Sequence, residues 1–124
     1  VFAATGGRGA DVVFDPVGGP LAEAAVRGTA WEGRYLVIGF TAGIPKLALN
    51  HVVLRGCSVV GVLWGALARH DPARMREIAK QAVDWAGAGR ISAPVDKVFP
   101  LAQAAEALNA IAHREVKGKV ILQP

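Results

Sequence analysis

Apolar positions in this chain fall into short continuous runs separated by amphipathic stretches. β-Branched and aromatic residues gather at Asp11–Asp15 (DVVFD), Arg34–Phe40 (RYLVIGF), Ser58–Trp64 (SVVGVLW) and Lys119–Leu122 (KVIL), the make-up of strands. Helical spacing is met at Pro20–Arg27, Leu47–Leu54, Asp71–Ala86 and Leu101–His113. In the third helix Met75, Ile78, Ala82 and Trp85 recur on one face. Asp71-Pro72 supplies an N-cap and a first-turn proline, and Gly87 and Gly89 supply the stop. In the last helix Leu101, Ala104, Ala105, Leu108 and Ile111 form the predicted buried stripe, opposite Gln103, Glu106 and Asn109.

Strands alternating with helices predict an α/β fold, a doubly wound and mainly parallel sheet. The first three strands are apolar almost throughout, so both faces of that sheet are expected to be covered. A composition shift at Trp64–His70 separates a strand-rich part, residues 1–64, from residues 65–124. In the latter a long charged helix is followed by SAPVDKVFPL and a second helix.

The first strand runs into DPVGGP. Pro16 biases Asp15 away from helix, Gly18-Gly19 allows a sharp turn, and Pro20 opens the helix LAEAAVR. This is strand, glycine turn, helix, with the turn at the carboxyl end of the strand, where parallel α/β sheets bind ligands. A plain chain reversal and a binding loop both remain open for it. The second strand ends in IGF, then Thr41, where Gly39 permits close approach of a flat ring and Phe40 offers an apolar wall, or else makes an ordinary turn. The third ends in LWG, where Trp64 is either a site residue or core. Three glycine-bearing tips at one sheet edge together suggest a shared surface.

At 124 residues, 52% of them hydrophobic, the chain is one domain with enough apolar material for a core. Its only methionine is Met75 and it opens on Val1, so a fragment is expected. No apolar run approaches the roughly 20 residues that cross a bilayer, and no signal-peptide pattern opens the chain, so no membrane partner is expected. The +4 formal charge is scattered. Its two gatherings, Arg74/Arg76/Lys80 and Arg114/Lys117/Lys119, have acids beside them and read as solvated helix faces and ends rather than a nucleic-acid surface. The lone Cys57 makes neither a disulfide nor a metal site, and a reducing, cytoplasmic setting is expected.

GGRG at Gly6–Gly9 invites comparison with a phosphate cradle, but its glycines precede a strand instead of following one. It reads as a connection into that strand, and GxGxxG occurs nowhere in the chain. His51, His70 and His113 lack a paired nucleophile or metal spacing. Asp15, placed before proline, reads as a turn fastener.

Taken in order, GRGADVVFDPVGG, EGRYLVIGF, LRGCSVVGVLWGA, VFPLAQAAEAL and GKVIL resemble the zinc-independent medium-chain dehydrogenases/reductases, in particular the NADPH:quinone oxidoreductase branch. The resemblance runs through nearly the whole chain. It implies the C-terminal half of a Rossmann-type cofactor domain over residues 1–64 and a segment returning to the catalytic domain over residues 65–124. It implies NADPH held at the nicotinamide end by Val17, Gly18, Ile38, Gly39, Phe40, Thr41, Leu63 and Trp64, with no catalytic residue carried over and no metal. The implied reaction is hydride transfer to a quinone or an α,β-unsaturated carbonyl. It also implies a homodimer joined through the strand Ser58–Val62, with the 124-residue chain inactive by itself. The alternative for the isolated chain is a non-catalytic, self-associating α/β module without cofactor binding.

Overall fold

A 3₁₀ turn at Phe2–Thr5 leads through GGRG into strand β1 (Ala10–Asp15). Gly6, Gly7 and Gly9 all carry positive φ, and the Gly9 N–H donates to the Thr5 hydroxyl, so GGRG is a connection, as its place before a strand requires. The computed structural model describes all 124 residues, in two compact units, Val1–Pro72 and Ala73–Pro124. The first unit runs on past Trp64 because helix α3 (Trp64–His70) belongs to it and buries Ala66. No helix is long and apolar enough to cross a membrane.

In the first unit β1, α1 (Leu21–Arg27), β2 (Thr29–Val37), α2 (Leu49–Arg55) and β3 (Ser58–Gly61) alternate, and the three strands pair in parallel in the order β1-β2-β3. Strands advancing in one direction through right-handed crossovers place both helices on the same side of the sheet. The core records this arrangement. Ala22 and Val26 of α1, Tyr35 of β2 and Cys57 form it, with Val13, Val37 and Val52 packed around them. Cover on both faces is therefore not found. Val12 and Phe14 of β1, on the opposite face, are exposed, and all four residues of β3 are exposed at the sheet edge. Fully burying a side chain such as Val26 stabilises by about 1.5–3 kcal/mol, so the covered face carries the fold.

Two strands differ in extent from the sequence expectation. β2 starts at Thr29, because Ala10 pairs with Thr29 before an irregularity restores the register at Val12↔Arg34. Within that irregularity Glu32 takes φ 57, and Gly33 is so enclosed that a Cβ would stand 2.6 Å from the Thr29 methyl. β2 ends at Val37, because Ile38 and Gly39 both turn their N–H groups onto the Asp15 carbonyl, at 2.9 and 3.3 Å. β3 stops at Gly61, although the Val62 N–H still reaches the Val37 carbonyl at 2.9 Å, and Trp64 opens a helix instead of closing a strand.

The second unit holds α4 (Pro72–Gly87), β4 (Val95–Pro100), α5 (Ala104–Ala112) and β5 (Lys119–Gln123), with β4 and β5 parallel. Strand β4 lies inside SAPVDKVFPL, for which the sequence pattern predicted no element. The apolar stripe predicted for α5 is wrong in detail. Ala107 and Ala110 are its buried residues, whereas Leu101, Leu108 and Ile111 are more than half exposed. Hydrophobic spacing marks a helix but does not say which of its apolar residues meets the sheet. Here the small residues do.

Candidate functional site

The carboxyl ends of β1, β2 and β3 lie side by side, because each neighbouring pair is parallel and in register up to its last residue: Asp15↔Val37, then Val37↔Gly61. Three loops leave this edge together.

The first loop is organised by Asp15. Its Oδ1 accepts the N–H groups of Val17 (2.8 Å) and Gly18 (2.9 Å), and its Oδ2 accepts the hydroxyl of Tyr35. Asp15 therefore fastens the turn. Burial pushes its carboxyl upward, but the hydrogen bonds from Tyr35, Gly18 and Val17 outweigh this and hold it below the ordinary carboxylate range. Burial and the adjacent carboxylate push the Tyr35 hydroxyl well above its ordinary value, so at neutral pH an intact phenol donates to an ionised acid. Gly18 and Gly19 sit at φ 67 and 60, the conformation the turn asks of them.

The second loop folds back against the first. The Ala42 N–H donates to the Val17 carbonyl and the Gly19 N–H to the Gly43 carbonyl, both at 2.8 Å, while the Thr41 hydroxyl reaches the Pro16 carbonyl at 3.4 Å. A Cβ on Gly18 would meet the Gly43 carbonyl oxygen at 2.8 Å and one on Gly19 the Ala42 carbonyl oxygen at 2.5 Å. Gly39 is also close to the first loop: a Cβ there would stand 3.1 Å from the Pro16 carbonyl oxygen, a tight contact.

Between the second and third loops opens a cavity of about 310 Å³, lined by Val37, Ile38, Phe40, Gly61, Val62 and Leu63. Phe40 is 47% exposed and Leu63 76% exposed, which leaves both side chains available to a ligand. Of the eight residues expected at the site, Ile38, Phe40 and Leu63 line this cavity. Val17 accepts a hydrogen bond from the second loop, Gly18 lies in the same turn with its N–H on Asp15, and Gly39 and Thr41 belong to the second loop. Trp64 follows Leu63 as the first residue of α3 and is not among the lining residues. Sequence reasoning missed Ala42 and Gly43, whose carbonyl and amide groups brace the glycine turn. The only signal for them was the turn-like Ala-Gly after Thr41.

Known proteins share this fold. Residues 1–122 match the family described as zinc-binding dehydrogenase. A quinone oxidoreductase-like protein 2 homolog of Nematostella vectensis is 33% identical over 120 residues, covering 95% of this chain and 33% of the relative. Among solved structures, an NAD-dependent alcohol dehydrogenase is 28% identical with a TM-score of 0.74, covering 100% of this chain and 34% of that one. A mycobacterial protein complexed with NADPH superposes with a TM-score of 0.80 at 23% identity, over 99% of this chain and 38% of that one. The chain thus spans about a third of the length of these three proteins.

The family description raises zinc, which needs three or four His, Cys, Asp or Glu ligands around one point. No such group of three is found in this chain, so its residues do not fit a zinc ion. With its fold, its order of motifs and its relatives in agreement, this chain belongs to the zinc-binding dehydrogenase family, the medium-chain dehydrogenases/reductases.

Proposed function

We infer that the chain carries the nicotinamide-side half-site of an NADPH-dependent oxidoreductase that works without zinc and reduces a quinone or an α,β-unsaturated carbonyl. The observation that supports this most is an apolar cavity between the second and third strand-end loops, lined by Ile38, Phe40 and Leu63, with the first loop hydrogen-bonded to the second. The quinone oxidoreductase-like relative and the NADPH-bound structural neighbour support it further.

When bound, the nicotinamide supplies the hydride. The protein's part is to bind and orient it. Ile38, Phe40 and Leu63 offer apolar surface that suits the face of a flat ring and excludes water. Val17, Gly18, Gly39 and Thr41 present backbone and hydroxyl groups beside it, and Trp64 stands next in the chain. No carboxylate or histidine lines the cavity, and the one nearby acid, Asp15, is held by the turn. The half-site therefore positions the cofactor and offers no proton donor of its own. Residues 65–124 serve as the segment returning to the substrate domain, a reading supported by the exposed Leu101, Leu108 and Ile111. The exposed edge strand β3 joins two copies of the chain, since an apolar edge without proline or lysine invites strand addition.

Calorimetric titration with NADPH tests the half-site. Without GxGxxG the pyrophosphate has no helix-end cradle, so the expected dissociation constant is on the order of millimolar, about 4 kcal/mol. A micromolar value would mean that another segment of the chain grips the pyrophosphate, and the account of the missing phosphate cradle would be wrong; no binding even at millimolar NADPH would count against the half-site.

A further inference from the structure

Tyr35 is the only tyrosine in the chain and the largest fully buried side chain, yet its ring lies in the core while its hydroxyl reaches the site edge. No ligand can touch a side chain that is 0% exposed. The hydroxyl is spent on Asp15, and Asp15 is where the first two loops converge. Its side chain accepts Val17 and Gly18, and its carbonyl accepts Ile38 and Gly39. An apolar residue of similar size would fill the same core. The phenol adds one thing, a donor aimed at the second oxygen of the carboxylate, which keeps that carboxylate ionised and its first oxygen turned to the turn amides.

We propose that Tyr35 is a positioning residue for the nicotinamide half-site, acting only through Asp15 to fix the DPVGG turn and, with it, the Ile38–Thr41 loop. The idea rests on the cofactor reading above, but its mechanical part can be measured without a cofactor. Removing the hydroxyl from a charge-assisted bond frees the carboxylate to rotate, and the amides it held open locally before the sheet does.

The test compares wild type, Tyr35→Phe, Asp15→Ala and the double variant, all as the full chain. Amide exchange is followed by NMR, and reduced nicotinamide mononucleotide is the titrated probe. In Tyr35→Phe, exchange at Val17 and Gly18 is expected to quicken about tenfold, with the β2–β3 amides unchanged and the probe bound several-fold more weakly. In the Asp15→Ala background the tyrosine change should add nothing further, because its only route is gone. Equal quickening throughout the sheet, or additive effects in the double variant, would make Tyr35 an ordinary core residue and overturn the proposal. Local opening at Val17 and Gly18 with undiminished probe binding would also overturn it as a positioning role. A wild type that ignores the probe would instead refute the cofactor reading, and the positioning role with it. The Tyr35–Asp15 fastening would then stand or fall on exchange alone, which keeps the two failures apart.

Discussion

The two units bury different things. In Val1–Pro72 the core holds a tyrosine, a valine and a cysteine between two helices and one face of a three-stranded sheet. In Ala73–Pro124 the buried apolar residues are Ala107 and Ala110, while Val95, Val98, Leu101, Leu108 and Ile111 are more than half exposed. The first unit owes its closure to topology, since successive right-handed crossovers lay both helices on one side and complete a core from local sequence. The second has a strand, a helix and a parallel strand, with only alanines fully buried and Phe99 and Val120 half-buried. Many of its other large apolar residues are exposed. A hydrophobic pattern therefore carries two kinds of information that look alike in sequence: what an element packs on within its own unit, and what it offers to something else.

The harshest way to break the contrast is to deny the first unit its closure. Gly33→Val would drive a Cβ to within 2.6 Å of the Thr29 methyl and 2.9 Å of the Ala30 carbonyl oxygen. The expected cost is at least about 3 kcal/mol, at the upper end for overpacking because backbone stands in the way. Loss of dispersed resonances from Val1–Pro72 is the measurement. Next comes a paired test of the second unit. Ala107→Leu should cost about 1–3 kcal/mol by forcing α5 off its strands, whereas Leu108→Ala, one residue along, should stay within about 0.5 kcal/mol. Urea midpoints of the two variants give the answer, and a reversed order would mean that the exposed stripe is the true packing face.

Assembly sharpens the comparison from the other side. Val60 lies in the exposed edge strand of the first unit, so Val60→Lys should shift a dimer towards monomer by light scattering. An unchanged mass would move the interface to another surface. The smallest expected effect is a pH dependence. The folded Asp15 carboxyl lies below its unfolded value, so its contribution is present above that value, about 3.9, and disappears as pH falls through the folded one. The stability gap between wild type and Tyr35→Phe should therefore hold near neutrality and narrow below about pH 4. A gap constant to lower pH would detach Tyr35 from the Asp15 charge.

Much of the first unit was legible because its signals are local. VVF, YLV and SVV are strands by composition, DPVGG is a turn by chemistry, and the glycine tips fall at the carboxyl edge once the strands are parallel. Coverage of the sheet was not legible, since an apolar strand reads the same whether or not its second face is packed. The close approach of Gly39 to Pro16 was hidden too, because it depends on how two loops meet. β4 escaped notice because Pro94 precedes it, Pro100 ends it, and Asp96 and Lys97 lie inside it, a pattern closer to loop than to sheet. The Tyr35–Asp15 bond spans 20 residues and leaves no periodic trace in the sequence.

The central claim is that the three strand-end loops form a nicotinamide half-site, and mapping reduced nicotinamide mononucleotide onto the backbone amides of the full chain tests it most directly. The expected result is a set of saturable shifts, at probe concentrations on the order of millimolar, confined to Val17–Gly18, Ile38–Thr41 and Leu63–Trp64. Saturable shifts centred elsewhere, or none at these loops, would contradict it.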